Sequence, residues 1–194
     1  FSSEWPENLS SRIQTVLDRS DEKVVVLDDD PTGTQTVNGV PVLTRWSVEV
    51  LVAEFLSDCP AFYLLTNSRS LSLAKAKILN RQIGRNLIRA SNRTGVGFVV
   101  VSRRDSTLRG HFPGEVEVLA DALGVDFDAW LIVPFFQQGG RLTVNDIHYV
   151  TEGRWLVPAG STEFAEDPTF GYGHSNLRAW VEEKTAGSIP SEQV

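Results

Sequence analysis

Val24-Val25-Val26-Leu27 runs directly into Asp28-Asp29-Asp30-Pro31-Thr32-Gly33. An unbroken β-branched and aliphatic row, closed by carboxylates and a Pro-x-Gly turn, predicts a strand buried on both faces. Such strands belong to parallel sheets, whose faces helices cover. Three later segments repeat the pattern. Ala61-Phe62-Tyr63-Leu64-Leu65 leads into Thr66-Asn67-Ser68-Arg69. Gly97-Phe98-Val99-Val100-Val101 leads into Ser102-Arg103-Arg104-Asp105-Ser106-Thr107-Leu108-Arg109-Gly110. Trp130-Leu131-Ile132-Val133 leads into Pro134 and then Gln137-Gln138-Gly139-Gly140-Arg141. If the four runs are parallel strands, all four polar clusters emerge at one carboxyl edge. Open α/β sheets bind their ligands at that edge. Segments far apart in sequence are therefore expected to build one site.

The chain between these runs has helical character. Leu9, Ile13, Val16 and Leu17 share one helical face, and Ser47 is placed to cap a helix carrying Val50, Leu51, Phe55 and Leu56. Leu71 to Arg93 keeps Leu73, Ala76, Leu79, Ile83, Leu87 and Ile88 on one side and basic residues on the other. Pro113, followed by Glu115 and Glu117, marks another helix start. Val40-Pro41-Val42-Leu43 suits a short edge strand because of its proline. Past Arg141, Ile147-His148-Tyr149-Val150 and Arg154-Trp155-Leu156-Val157 suit a hairpin around Glu152-Gly153, and Ser175 suits the cap of a last helix. The expected fold is α/β: a mainly parallel sheet with helices on both faces, plus a small C-terminal hairpin and helix. Residues 186–194 are Gly-, Ser- and Pro-containing with little apolar content, the composition of a linker. A start at Phe1 and the lack of methionine lead us to expect a piece of a longer protein.

With 194 residues and a net charge of −7, the chain has the size of a domain with a proper core and an acidic balance. That balance argues against nucleic acid or an anionic membrane as partner. It also makes the gathering of Arg69, Arg103, Arg104, Arg109 and Arg141 more telling. The lone Cys59 cannot form an internal disulfide and suits a reducing compartment, so a cytoplasmic protein is expected.

Three adjacent carboxylates at a strand end repel one another unless cations or hydroxyl donors share them. Gly33 then allows the backbone to approach a ligand closely. Arg104 to Gly110 is the densest hydrogen-bonding stretch: Arg109 can fork onto a carboxylate, and Ser106 and Thr107 can donate to it. An internal network of ion pairs would use the same residues, and Arg103 is expected to be exposed or structural. Arg69 is expected to contact ligand. Gln138 to Arg141 suits either an anion-binding nest or a surface loop. His111, His148 and His174 lack metal-ligand spacing, with His111 the best functional outsider because it lies near Arg109. No Gly-x-x-x-x-Gly-Lys-Ser/Thr or Gly-x-Gly-x-x-Gly is present. The residues suit a small molecule with an anionic end, held by arginines, and several hydroxyls that Asp29 and Asp30 would accept or deprotonate.

Taken in order, Asp29-Asp30-Pro31-Thr32-Gly33-Thr34, Asn67-Ser68-Arg69, Asp105-Ser106-Thr107-Leu108-Arg109-Gly110, Gly140-Arg141 and Phe164-Ala165-Glu166-Asp167-Pro168 resemble the four-carbon acid sugar kinase family. The resemblance runs from Val24 to about Lys184. It implies an N-terminal sugar-acid-binding domain over residues 1–185 and a linker, 186–194, towards an ATP-binding domain. It implies phosphorylation of the terminal hydroxyl of an acid such as threonate, erythronate or 3-oxo-tetronate, with ATP and Mg²⁺ held mainly by that second domain. By the same resemblance, Asp29, Asp30, Arg69 and the Arg104 to Arg109 segment, with Asp105, Ser106 and Thr107, would bind the acid; Gly33 and Arg141 join them as candidate substrate contacts on their own chemistry, and Asp30, ahead of Asp29, is the candidate base. No metal ligand is expected in this chain. The expected partners are the small acid and the second domain, with homo-oligomerisation an open option.

Two other readings use the same residues. Asp28-x-Asp30-x-Thr32 and Thr66-Asn67 also suit a haloacid-dehalogenase-type phosphatase with Asp28 as nucleophile. A binding module without chemistry would need only the anion and hydroxyl contacts.

Overall fold

A computed structural model describes residues 7–17 and 19–194. The start at Phe1 lies outside them. Strand β1 (Lys23–Asp28) is flanked by β3 (Ala61–Leu65) and β4 (Phe98–Arg103), and β2 (Val42–Leu43) closes the other side of β3. All pairings in this four-stranded sheet are parallel. The central place of β1 follows from its sequence: Val25, Val26 and Leu27 are all buried. Its register sets Asp28 level with Leu65 on one side and Arg103 on the other. The proline-bearing segment is an edge strand as expected. Pro41 uses only its carbonyl, which accepts from the Tyr63 amide at 2.9 Å.

The fourth strand of the sheet is thus Val42–Leu43, and the expected strand at Trp130 to Val133 is corrected. That run is irregular, with Leu131 91% and Val133 74% exposed. Pro134 has no amide to extend a ladder. The chain instead pairs Phe136 with Arg141 through two backbone hydrogen bonds of 2.9 and 3.0 Å, which direct it into a second sheet.

Helices α2 (Val48–Phe55), α3 (Leu73–Thr94) and α4 (Gly114–Leu123) contribute Leu51, Phe55, Ile83, Leu87, Ala90 and Leu119 to one core with Val25, Leu27, Phe62 and Leu64. Phe55 meets the edges of Phe62 and Phe98 at 5.8 and 5.5 Å, which fixes α2 against the sheet. On the alternate residues of β4, Val99 and Val101 remain 46% and 45% exposed. The first helix, α1 (Ser10–Leu17), buries none of its residues.

The C-terminal part is a three-stranded antiparallel sheet of β5 (Arg141–Val144), β6 (Ile147–Glu152) and β7 (Trp155–Pro158). The expected hairpin is β6–β7, and β5 is an addition. Helix α5 (Leu177–Lys184) follows. Its cap is Asn176, whose side chain accepts from the amides of Arg178 and Ala179. Ser175, the expected cap, has its hydroxyl taken by the Gly160 amide at 2.8 Å. Residues 186–194 lie against α5: Ile189 packs on its core, and the Ser191 carbonyl accepts from Arg178 Nε at 2.9 Å. A second core of Val150, Ala159, Ala165, Tyr172, Trp180 and Val181 also takes in Leu108. The loop after β4 is therefore packed into the C-terminal part, and the two parts meet at the carboxyl edge of the parallel sheet.

Candidate functional site

Asp28 is fully buried at the end of β1. Its register partner Arg103 donates from Nη1 to Oδ1 at 3.1 Å, while Oδ2 has no hydrogen-bond partner among the described residues. Burial pushes its carboxyl above the usual range, with Arg103 opposing. Gly33 lies directly on this pair. A β-carbon there would fall 2.0 Å from Asp28 Oδ2 and 2.2 Å from Arg103 Nη1. The glycine is needed for close approach, but to a neighbouring ion pair. Arg103 is structural in this sense. Asp28, the nucleophile of the phosphatase reading, is held in this ion pair with no solvent exposure.

The next carboxylate is locked in a fork. Arg69 donates to Asp29 from Nε at 3.2 Å and from Nη2 at 2.6 Å. The backbone prepares this fork. The Thr66 amide and hydroxyl both donate to the Asp28 carbonyl, Asn67 takes a left-handed conformation (φ 49°), and the Arg69 amide donates to the Asp29 carbonyl. Arg69 Nη1 also lies 3.5 Å from Asp30 and 3.9 Å from Asp105. Burial opposes the charge on Arg69, but these three carboxylates hold its guanidinium above the ordinary value.

Asp30 is the accessible member of the triplet, its side chain 26% exposed against 4% for Asp29. One of its oxygens accepts from the Thr32 amide at 2.8 Å and from the Thr32 hydroxyl at 2.5 Å. Partial burial works against ionisation, yet these bonds and the charges of Arg69 and Arg103 hold the carboxyl below the ordinary range. Asp30 is therefore an ionised acceptor at neutral pH.

The loop after β4 is tied down by its own backbone. His148, fully buried on β6, donates from Nε2 to the Ser106 carbonyl at 2.7 Å, so its Nδ1 accepts from Thr143 Oγ1 at 3.0 Å. Burial holds this histidine below its ordinary value, consistent with a neutral ring. Tyr172 donates its hydroxyl to the Thr107 carbonyl at 2.8 Å. These anchors stabilise Leu108 in the left-handed region (φ 66°), a conformation that costs a non-glycine residue roughly 1–2 kcal/mol. The turn aims Thr107 and Arg109 together at Asp105: the Thr107 hydroxyl donates to Oδ2, and Arg109 Nε reaches the same oxygen at 2.7 Å. Burial opposes the Asp105 charge, but these donors hold its carboxyl below the usual range.

Arg109 extends onwards to the second part of the protein. Its Nη1 lies 3.6 Å from Asp167, and its guanidinium carbon is 5.0 Å from the centroid of the Phe164 ring. Arg141 lies over the same ring at 5.4 Å and donates to the Gly139 carbonyl. Among the described residues Arg141 forms no ion pair with a carboxylate, unlike Arg69, Arg103, Arg104 and Arg109.

The structure thus brings Asp29, Asp30, Gly33, Arg69, Asp105, Thr107 and Arg109 into one cluster, and Phe164 links Arg141 to it. Arg104 lies beside the cluster, where its charge favours ionised Asp29, but its hydrogen bond goes to α4. It donates to Glu115, which is buried on α4 and also accepts from Asn80 Nδ2 at 2.7 Å. Ser106 enters the hydrogen-bond network through its carbonyl. His111 is structural, with Nε2 2.8 Å from the Leu71 carbonyl and its ring against Phe170. The sequence alone assigns no role to Asp167 or Phe164, and marks Glu115 only as a dipole-favoured helix residue.

A cavity of about 730 Å³ adjoins the cluster. Arg103, Arg104, Asp105, Ser106 and Arg109 are among its lining residues, with Val101, Leu119, Phe127 and Trp130 among the apolar ones. A hydroxylated anion suits the polar residues only. Among the described residues, no group of three or more His, Cys, Asp or Glu side chains could hold a metal ion, and no helix is long and apolar enough to cross a membrane.

Residues 24–194 match the family model described as a sugar-binding N-terminal domain. No curated protein matches the sequence. Among solved structures, a Bordetella bronchiseptica protein described as a domain of unknown function (DUF1537), a domain-swapped dimer with bound citrate, is 24% identical with a TM-score of 0.62. The match covers 82% of this chain and 40% of that one. A second crystal form of that protein matches at 21% identity and a TM-score of 0.58, over 81% of this chain and 39% of that one. Haemophilus influenzae HI1011, of the same DUF1537 family, is 20% identical with a TM-score of 0.56, over 82% of this chain and 38% of that one. These likenesses show the fold, and the chain spans about two fifths of the length of the proteins it matches.

Proposed function

The chain belongs to the family of sugar-binding N-terminal domains, and from that premise we propose that it is the substrate-binding half of an ATP-dependent kinase acting on the terminal hydroxyl of a four-carbon sugar acid. The observation that carries this reading is the juxtaposition of Asp30, an accessible ionised acceptor, with the arginine cluster at the same sheet edge. The acceptor suits a hydroxyl, and the cations suit a carboxylate. Citrate in the B. bronchiseptica protein supports a small polar acid as the ligand class. Threonate, erythronate and 3-oxo-tetronate have the required anionic end and hydroxyls. That protein's domain-swapped dimer supports homo-oligomerisation as part of the reading. A cytoplasmic setting is its natural compartment.

Phosphoryl transfer is mainly positioning and charge stabilisation. Arg141, free of a carboxylate partner among the described residues, takes the acid's anionic end together with Arg109. Asp30 accepts a hydrogen bond from the distal hydroxyl, orients it, and receives its proton as the oxygen becomes a nucleophile. Asp29 does not compete for that role, because both its oxygens are engaged by Arg69. The transfer needs ATP and Mg²⁺, and the sequence has neither of the two common phosphate-binding glycine motifs. In this reading both are held by a second domain.

The test is acid-dependent consumption of ATP by the protein joined to that domain. Asp30→Asn is expected to lower kcat by about a hundredfold or more with little change in KM for the acid. An unchanged kcat would remove Asp30 from the chemistry, and no acid-dependent turnover with any four-carbon acid would refute the kinase reading.

A further inference from the structure

We infer that Phe164 is a positioning residue that sets the geometry of the anion clamp by carrying Arg109 and Arg141 on one aromatic ring. The inference rests on the proposed sugar-acid reading. The two arginines come from distant segments, the loop after β4 and the start of β5. Their guanidinium carbons lie 5.0 and 5.4 Å from the same ring centroid. They are otherwise held differently. Arg109 is bound by Asp105 and Asp167, whereas Arg141 contacts only the Gly139 carbonyl among backbone and carboxylate acceptors of the described residues. The ring is therefore a support they share.

Phe164 is itself fixed. It packs on the second core, and its short 3-10 turn, Glu163–Glu166, is held by the Ala165 amide donating to the Thr162 carbonyl and the Tyr172 amide to the Ala165 carbonyl. Asp167, at the end of that turn, accepts from the amides of Thr169 and Phe170 and pairs with Arg109. A guanidinium stacked on an aromatic face keeps its edge donors free for an oxyanion. The ring itself takes none of their donors; those of Arg109 are shared with Asp105 and Asp167, and Arg141 shares none with a carboxylate of the described residues. It has no polar atom of its own with which to contact an acid.

Two readouts test this in the intact chain. The first is the side-chain NMR signal of arginine Nε–H. In the wild type, those of Arg109 and Arg141 are expected to be shifted by the Phe164 ring current. Phe164→Leu should move both towards ordinary values, and Phe164→Tyr should retain both shifts. The second is calorimetric titration with citrate and with threonate. Phe164→Leu should weaken binding about tenfold or more, the size of effect expected from two partly exposed cation–π contacts, and Phe164→Tyr should restore it. Binding by Phe164→Leu equal to the wild type would overturn the positioning role while leaving the sugar-acid reading intact. No binding of either acid by the wild type, with the ring-current signature present, would count against the sugar-acid reading and leave Phe164 only a packing residue.

Discussion

Arg69 and Asp29 form a two-pronged ion pair, with hydrogen bonds of 2.6 and 3.2 Å, inside the carboxyl edge of the parallel sheet. Asp29 is almost fully buried, and Arg69 is mostly so. Removing one member of such a pair leaves an uncompensated buried charge. Arg69→Ala is expected to lower unfolding free energy by roughly 3 kcal/mol, measured by urea denaturation. A loss below the experimental error would show that the pair is not structural.

Arg141 provides the contrast. It has no carboxylate partner among the described residues, so its loss strands no buried charge. Arg141→Ala is expected to change stability by less than about 1 kcal/mol while weakening acid binding. Comparing the denaturation and binding of the two variants separates an arginine that holds the site together from one proposed to bind the acid. Equal destabilisation by both would erase that distinction.

Gly33→Ala addresses the close approach to Asp28 and Arg103. The added methyl would sit 2.0 Å from a carboxylate oxygen of a fully buried side chain. The ion pair or the turn must then move. A destabilisation of about 1–3 kcal/mol is expected from this overpacking, read as a lower denaturation midpoint. An Ala variant as stable as the wild type would mean that the turn yields without cost.

His148 gives the site a pH dependence. Burial depresses its protonation in the folded state below the ordinary 6.5. The unfolded chain then binds more protons below that value, and stability contributed by the neutral ring is lost as pH falls. Above about pH 6.5 that contribution is fully present; between there and the lower folded value it declines. Replacing His148 with Gln should flatten the fall in melting temperature between neutral and mildly acidic pH. An identical slope in wild type and variant would locate the acid sensitivity elsewhere.

Much of this architecture is written in local sequence. The rows at Val24, Ala61 and Phe98 are long, apolar and closed by turns, so both strand type and the common edge can be read from them. Trp130 to Val133 has the same composition but a different fate, because Pro134 and the Phe136–Arg141 pairing lead the chain to the antiparallel sheet. Composition cannot weigh those long-range competitors. The same limit applies to the arginines. That Arg103 belongs to Asp28 follows from strand register, and that Arg104 belongs to Glu115 follows from the packing of α4 beside the sheet's carboxyl edge. The Arg109–Phe164–Arg141 arrangement joins three segments and has no local signature. A motif with several arginines thus reveals a charged site but not which cations are already neutralised from within.

The most direct measurement is calorimetric titration of this chain with a panel of four-carbon sugar acids, using Arg141→Ala as the companion. The account expects selective binding of one acid by the wild type, reduced at least about tenfold in the variant, as suits loss of a charge-assisted contact. Equal binding by the two proteins, or no binding of any acid by the folded wild type, would contradict a sugar-acid site built on this arginine.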